Sequence, residues 1–160
     1  MEGLEHILMQ HPFFAGFEAE LGKVVSGCAR NVRFDAGQYL IREGEPANEF
    51  YLIRHGAVAL EILPPGQEPV VFETLREGEI VGSSWLVPPY CWTFDARAIE
   101  VVRAIGIDAK CLRVKCDADH HLGYEMMKRF LPIMVKRLHA TRLQILDVYG
   151  KPGNDPSRAR

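Results

Sequence analysis

The stretch FDAGQYLIREGEPANEFYLIRHGAVALEI, from Phe34 to Ile62, decides the fold of this chain. It consists of short runs rich in Val, Ile, Phe and Tyr, and glycines interrupt these runs at even intervals. Runs of this kind are typical of short β-strands joined by tight turns. The same pattern continues to about residue 107 through VVFETL and REGEIVG. The sequence therefore predicts an all-β barrel or jelly roll rather than alternating βαβ units. The glycines that we expect to adopt a positive φ at the turns are Gly37, Gly44, Gly56, Gly78 and Gly82.

Helical periodicity flanks this β region on both sides. Apolar residues between Leu4 and about Gly22 indicate short helices. After Asp108 we expect a short helix, DAKCLRVKC, and then a longer one. The residues expected to break, kink or divide these helices are Pro12, Gly16 and Pro132.

The predicted organisation is a single domain over residues 1–150, mainly β with flanking helices. Its parts are a helical lead-in at 1–29, the jelly roll at 30–107 and C-terminal helices at 108–149. Residues 150–160 are polar and broken by prolines, so we expect a disordered tail there.

The long helix carries apolar residues at alternating spacings of three and four over about three heptads, which is the pattern of a coiled-coil seam. One interpretation is that this face packs on the barrel, as amphipathic helices usually do. We favour self-association, because a helix that leaves a closed barrel at the end of the chain has little barrel left to cover. The sequence therefore predicts a homodimer. The apolar seam residues are Met127, Leu131, Met134, Leu138, Ile145 and Val148, and Thr141 fills the remaining seam position between Leu138 and Ile145.

Composition and charge exclude several classes of protein. The chain has 160 residues and a formal net charge of -2, which argues against a general affinity for phosphate backbones. No apolar run approaches the roughly 20 residues needed to span a bilayer, so we expect no membrane role. The N-terminus lacks the features of a secretion signal, and we therefore expect a cytoplasmic protein.

The cysteines are expected to be thiols in that compartment. Cys28, Cys91, Cys111 and Cys116 include no CxxC pair. An iron-sulfur or zinc site is a poor second interpretation, since the six histidines are scattered along the chain. Buried structural thiols are the favoured interpretation.

No enzyme is predicted. A jelly-roll metalloenzyme of the cupin kind needs clustered histidines and a carboxylate on neighbouring strands, and only His55 falls among the expected strands. No nucleophile, base and orienting group stand at a useful spacing for hydrolysis. We therefore assign no catalytic residue, no metal ligand and no cofactor, and the cupin reading is a distant third hypothesis.

The quoted stretch, followed by LREGEIVG and by strand, short helix and long helix, resembles the cyclic nucleotide-binding domain of the catabolite activator protein (Crp/Fnr-like) family. The most specific elements are YLIRHGAVALEI and GEIVG, and the resemblance extends to about Tyr149. It implies a β jelly roll (a double-stranded β-helix) whose final long helix pairs in a homodimer. Transcription factors of this family continue into a helix-turn-helix domain, for which we find no room here, so we expect no direct DNA binding.

The resemblance also implies a ligand site. In that family a short helical cassette between two strands holds the ligand, and its position here is GSSWLVPPYCWT, from Gly82 to Thr93. Backbone N–H groups of a turn and a helix N-terminus suit a cyclic phosphate. The family's threonine that reaches the purine base is matched by Thr141, which also lies on the predicted seam. The residues assigned to ligand binding are Gly82, Ser83, Ser84, Trp85, Trp92, Thr93 and Thr141.

Both charged partners of the family's ligand are missing here. Ser83 stands in place of the glutamate that holds the ribose. Trp92 stands in place of the arginine that pairs with the phosphate, and Cys91 does so if the alignment shifts by one residue. Because a hydrogen bond to a charged group contributes roughly 1.5–3 kcal/mol, losing the arginine alone weakens binding by about tenfold to more than a hundredfold. We expect Arg97 to pair with Asp95 or to face water, since an ionised Asp95 beside an anion is unfavourable.

Two functional hypotheses remain open. The leading one is a ligand-sensing regulatory domain, in which cyclic AMP, cyclic GMP or another small molecule enters the cassette and repositions the long helix. The alternative is a degenerate scaffold for dimerisation or partner binding, with Trp85 or Trp92 plugging the cassette. Trp85, Tyr90 and Trp92 would suit a flat, weakly charged ligand if the hollow is open, and they fill it or anchor the cassette if it is not.

Overall fold

The structure is a computed structural model that describes residues 3–149. The predicted disordered tail at 150–160 lies outside the described residues. Within the described part of the chain, the strands are β1 Ala29–Phe34, β2 Tyr39–Ile41, β3 Glu49–His55, β4 Ala57–Ile62, β5 Val70–Arg76, β6 Ile80–Val81, β7 Asp95–Ala98 and β8 Val102–Asp108. The α-helices are α1 Leu4–Gln10, α2 Ala19–Ser26, α3 Ala109–Ala118 and α4 His120–Tyr149, and short 3₁₀ helices lie at Pro12–Phe14 and Ser84–Leu86.

The strands form two sheets of four strands each. The first has the order β1-β8-β3-β6 and the second the order β2-β7-β4-β5, and every pairing is antiparallel. Strand β8 pairs with both β1 and β3, so neighbours in space are distant in the sequence. This arrangement confirms the predicted jelly roll, and the positive φ of all the predicted turn glycines confirms the predicted turns.

Gly56, between β3 and β4, shows why one of these turns requires glycine. Its φ is 96°, a conformation that L side chains rarely adopt. A Cβ at this position would also collide with the carbonyl oxygen of Val101 and the backbone of Val102. The turn therefore packs directly against the start of β8, and only a residue without a side chain permits it.

The core consists of large apolar side chains from both sheets and from the helices. Trp85 is the largest of them, and it comes from the segment after β6 rather than from a strand. That segment therefore contributes to the core. The largest fully buried side chains are Trp85, Phe14, Phe50, Leu8, Ile41, Leu52, Ile53, Leu60, Leu75, Ile105, Ile107 and Leu112.

The N-terminal helices are attached to β3 through His11. This buried imidazole accepts a hydrogen bond from the Phe13 N–H at Nδ1 (3.2 Å) and donates from Nε2 to the Ile53 carbonyl oxygen (3.0 Å). Burial is the main cause that lowers the pKa of His11, and the neutral ring with its proton on Nε2 matches both hydrogen bonds. This buried histidine thus fixes the position of the N-terminal helices against β3.

The C-terminal helices begin at Asp108, whose Oδ1 accepts a hydrogen bond from the Cys111 N–H (3.0 Å) and caps α3. Helix α4 runs from His120 to Tyr149 without interruption and contains Pro132. Pro132 does not divide the helix, which accommodates the missing backbone donor and continues on both sides of it. The chain forms two compact units, Met1–Glu125 and Met126–Arg160, and the boundary falls inside α4. No helix within residues 3–149 is long and apolar enough to cross a membrane.

Two of the cysteines differ from the prediction. Cys28 and Cys111 form a disulfide with a Cα–Cα distance of 5.8 Å, whereas Cys91 and Cys116 are free. The expectation of thiols is therefore wrong for the first pair. The bonded residues are 83 positions apart in the sequence, and the pairing of β1 with β8 brings them together. Burial raises the pKa of the Cys116 thiol to about 11, so this cysteine stays protonated at neutral pH.

Candidate functional site

The predicted cassette, from Gly82 to Thr93, connects β6 to β7. It begins at Gly82, which has a φ of 99°, and continues into the 3₁₀ helix Ser84–Leu86. A cis peptide bond joins Pro88 to Pro89, and Tyr90 follows with a φ of 56°. A tyrosine in the left-handed region is uncommon and must be held there by its surroundings. The contacts of the cassette show what holds it.

The second half of the cassette pairs with the turn between β2 and β3. The Ala47 N–H donates to the Tyr90 carbonyl oxygen (2.7 Å), and the Gly44 N–H donates to the Trp92 carbonyl oxygen (2.9 Å). In return, the Trp92 N–H donates to the Glu45 carbonyl oxygen (3.0 Å). These backbone hydrogen bonds fix the cassette independently of its side chains.

Trp85 anchors the first half of the cassette in the core. Its side chain is fully buried, and its indole stacks on the Phe50 ring of β3 with 4.6 Å between centroids and 9° between planes. An offset or parallel aromatic pair of this kind stabilises the fold beyond the area that it buries. Trp85 is therefore a core residue that happens to lie in the cassette.

Trp92 covers Gly82. A Cβ built on Gly82 would lie 2.5 Å from Cη2 and 2.7 Å from Cζ3 of the Trp92 ring, and 3.3 Å from Cδ1 of Ile41. The glycine thus permits a close approach, and the group that approaches is the chain's own indole. Trp92 is also almost completely buried, with 5% of its surface exposed.

Arg113 of α3 holds both halves of the cassette. Its Nη1 donates to the Trp85 carbonyl oxygen at 2.8 Å and lies 3.4 Å from the Ala47 carbonyl oxygen. Its guanidinium also stacks over the Tyr90 ring, 4.3 Å from the centroid. Arg113 was not among the predicted site residues, because an arginine in the short helix CLRVKC carries no local signal of what it contacts. Arg113 therefore connects the cassette to helix α3.

Arg97 binds the carboxylate of Glu61, which comes from a neighbouring strand. Its Nε donates to Oε1 of Glu61 at 2.7 Å, and Glu61 is buried. Asp95, the expected partner, accepts instead from the Glu43 N–H (2.7 Å) and lies 3.7 Å from Nε of Arg42. Of the two expectations for Arg97, the pair with Asp95 is wrong, since β4 places Glu61 opposite β7, whereas its side chain does remain partly exposed to solvent.

The residues assigned to ligand binding fall into two groups. Six of them, Gly82 to Trp85 with Trp92 and Thr93, lie in the cassette. Ser83 and Ser84 are partly exposed and Thr93 is exposed, so their hydroxyls can meet solvent. Thr141 belongs to the second unit, where its hydroxyl donates to the Arg137 carbonyl oxygen of its own helix (2.9 Å). Within residues 3–149 no group of three His, Cys, Asp or Glu side chains could hold a metal ion.

Comparison with models of known protein families gives a match that covers more than half of this chain. The model of the family described as cyclic nucleotide-binding domain matches residues 31–119. This match contains every strand from β2 to β8, the whole cassette and α3.

Individual relatives agree with that match. A CRP-like cAMP-activated global transcriptional regulator of Mycobacterium tuberculosis is 25% identical over 145 residues, which are 91% of this chain and 63% of that protein. A human cGMP-dependent protein kinase 2 is 30% identical over 125 residues, which are 76% of this chain and 16% of the kinase. The crystal structure of a protein from Geobacter metallireducens is 27% identical with a TM-score of 0.75, covering 87% of this chain and all of that one. The chain thus spans less than two thirds of the length of these curated relatives.

Proposed function

This chain belongs to the cyclic nucleotide-binding domain family, whose model matches more than half of its residues, and from that membership we propose a regulatory domain that binds cyclic AMP and cyclic GMP only weakly. The proposed ligand residues are Gly82, Ser83, Ser84, Trp92 and Thr93 of the cassette. No catalytic reaction is assigned to the chain, so its output passes through its own dimer or through a protein that it regulates.

The observation that carries the proposal is the position of Trp92 on Gly82. The resemblance places this glycine at the start of the cassette that holds the cyclic phosphate. Here the indole edge occupies the side of Gly82 on which a Cβ would stand. A nucleotide that uses this glycine must displace an almost completely buried aromatic ring, which lowers its affinity by the free energy of reopening the core.

The lack of a positively charged side chain in the cassette should lower the affinity for a phosphate further. The cassette itself contains no arginine, lysine or histidine between Gly82 and Thr93. The guanidinium of Arg97, just beyond it on β7, already donates to the buried Glu61. A phosphate anion would have to compete with that carboxylate, and charge-assisted hydrogen bonds are roughly twice as strong as neutral ones. We therefore expect both cyclic nucleotides to bind far more weakly than they bind a cassette with its own arginine.

Restoring the charged partners tests this proposal. In the double variant Ser83→Glu, Cys91→Arg, the affinity for cyclic AMP should rise at least about tenfold over that of the wild type, because each new charged hydrogen bond contributes roughly 1.5–3 kcal/mol. Isothermal titration calorimetry measures both affinities. The matched control, Ser83→Gln, Cys91→Gln, introduces side chains of similar length without charge and should leave the weak binding unchanged. Tight, low-micromolar binding by the wild type would contradict the proposal.

A second candidate is a scaffold with no small ligand. It is favoured by the burial of both tryptophans and by the direct stacking of Trp85 on Phe50. The same titrations separate the two candidates. A regulatory domain with weakened binding gains measurable affinity when the charges are restored, whereas a plugged scaffold shows no heat with either nucleotide in any of these variants.

We also propose that the chain forms a homodimer through the second unit. On that unit, taken by itself, five of the predicted seam residues expose half or more of their surface. An exposed apolar row at three-four spacing is stable in water when a second copy covers it. The exposed seam residues are Met127, Leu131, Leu138, Ile145 and Val148.

A single substitution at the centre of the seam tests the dimer. Leu138→Glu places a charge where two seams would meet, and it should convert the dimer to a monomer because desolvating an unpaired carboxylate is very costly. Sedimentation equilibrium at several protein concentrations measures the mass. His139→Glu introduces the same side chain one residue further along, off the seam, and should leave the dimer intact. A monomeric wild type would refute this part of the proposal.

A further inference from the structure

The two cysteines of the Cys28–Cys111 disulfide differ in their exposure, and both line an open cleft. Cys28 is buried directly before β1, whereas Cys111, in the first turn of α3, is partly exposed. An open cleft of about 320 Å³ has both cysteines in its wall, together with Arg30, Glu49 and Asp108. Cys111 is therefore the more accessible of the two bonded residues, and it lies beside a space that a small molecule can enter.

Backbone hydrogen bonds connect the segments of the two cysteines in addition to the bond. The Asp108 N–H donates to the Cys28 carbonyl oxygen (2.8 Å), and the Cys111 N–H donates to Oδ1 of Asp108 (3.0 Å). Ala29 and Ile107 are partners in the β1–β8 pairing. Because strand pairing and helix capping involve both segments, we expect the reduced thiols to stay close enough to close the bond again, whereas the covalent tether between β1 and the start of α3 is lost.

Helix α3 links this bond to the cassette. Arg113 lies two residues after Cys111 on the same helix. Its guanidinium donates to the Trp85 carbonyl oxygen (2.8 Å) and stacks over Tyr90. A change in the tether at the start of α3 therefore acts on a helix that directly holds the cassette.

From these contacts we propose that Cys28 and Cys111 form a reversible thiol–disulfide exchange site for low-molecular-weight thiols, and that its redox state controls how firmly α3 holds the cassette. This inference does not depend on whether the cassette binds a nucleotide. It assigns to the disulfide a regulatory role that a purely structural bond would not have.

The exchange is balanced as follows. A thiolate of the reducing thiol attacks Sγ of Cys111, the accessible residue, and a mixed disulfide forms while the Cys28 sulfur leaves as a thiolate and takes a proton from water. A second thiolate attacks the sulfur of the small molecule, forming its disulfide and releasing Cys111 as a thiolate that is also protonated. The protein disulfide gains two electrons and two thiols of the reductant lose them. Oxidation by the small disulfide is the reverse sequence.

Two further cysteines, Cys91 and Cys116, have to be separated from this reaction. Burial raises the pKa of the Cys116 thiol, and the thiolate is the nucleophilic form. Cys91 lies in the cassette, where its Sγ contacts the Pro89 carbonyl oxygen at 3.6 Å. A variant that lacks both residues, Cys91→Ser, Cys116→Ser, is therefore a matched control that leaves the exchanging pair unchanged.

The experiment equilibrates the wild-type chain in buffers with different ratios of reduced to oxidised glutathione. Free thiols are then trapped with iodoacetamide and located by peptide mass spectrometry. We expect the Cys28–Cys111 bond to form in oxidised glutathione and to open in millimolar reduced glutathione, with a loss in Tm of about 5–15 °C on reduction. Absence of the bond in the oxidised buffer, or its persistence in the reduced one under native conditions, would overturn the proposal.

The coupling to the cassette has its own readout. The chain contains two tryptophans, Trp85 and Trp92, and both lie in the cassette. Reduction should therefore shift the tryptophan emission to longer wavelength as the cassette loosens, in the wild type and in the Cys91→Ser, Cys116→Ser control. Arg113→Met should keep the thiol exchange but lose the redox dependence of the emission. If the tryptophan emission of the wild type stays unchanged when the bond opens, the proposed coupling is overturned. This measurement uses the wild-type chain, so it does not depend on a variant that might fail to fold.

Discussion

Replacing Trp85 by alanine is expected to lower the free energy of unfolding by about 3–5 kcal/mol. The indole is fully buried and stacks on Phe50, so its removal leaves a large cavity between the cassette and β3. The backbone around it is held by other hydrogen bonds, such as that from Arg113 to the Trp85 carbonyl oxygen, and these limit how far the site can collapse. Urea denaturation followed by circular dichroism measures the change.

A control for this substitution lies two residues away. Val87 exposes 62% of its surface, and Val87→Ala should change the free energy of unfolding by no more than about 0.5 kcal/mol. A loss below about 1 kcal/mol for Trp85→Ala would mean that the indole is not packed in the core. The second hypothesis, a cassette plugged by its own aromatic residues, would then lose its main support.

Replacing Arg97 by methionine is expected to cost about 2–4 kcal/mol, because it leaves a buried carboxylate without its cation. Glu61 is 2% exposed and accepts from Nε of Arg97 at 2.7 Å. In the pairing of β4 with β7, Glu61 also lies directly opposite Asp95, so two carboxylates would face each other without the guanidinium. The side chain of Arg97 is 35% exposed, and for that reason we place the expected loss below that of a fully buried pair.

A double-mutant cycle separates the ion pair from the rest of the site. In Glu61→Met, Arg97→Met both charges are absent, and buried pairs replaced by apolar side chains often cost little. We therefore expect the double variant to be more stable than Arg97→Met alone, with a coupling energy of about 1–3 kcal/mol from denaturation curves. If the two single losses simply add, the two side chains do not interact and the assignment of Arg97 to Glu61 is wrong.

The two tryptophans of the cassette illustrate the limit of reading a site from sequence. Their position between Gly82 and Thr93 followed from the order of the strands and the resemblance to the family. Whether they line a hollow or fill it depends on what stands opposite them. Phe50, opposite Trp85, belongs to a strand more than 30 residues earlier in the sequence, and no local pattern connects the two.

The cysteines and arginines show that the partners of these side chains also could not be predicted from the sequence. The spacing of the cysteines gave no reason to pair Cys28 with Cys111, yet the β1–β8 register places their Cα atoms 5.8 Å apart. Strand alternation put Arg97 and Asp95 on one face, which favoured a pair between them. Asp95 instead accepts from the Glu43 N–H, and the neighbouring strand supplies Glu61 for Arg97.

The amino-acid sequence by itself determined the local conformations of this protein: glycines with positive φ end its strands, and apolar periodicity separates its helices from its β region. These properties depend on residues a few positions apart, and steric preference and amphipathic burial encode them directly. Only the tertiary structure decided that Cys28 bonds Cys111, that Glu61 binds Arg97 and that Arg113 holds the cassette. Such contacts join residues tens of positions apart, so they depend on strand register and helix placement, which are set by the packing of the whole core.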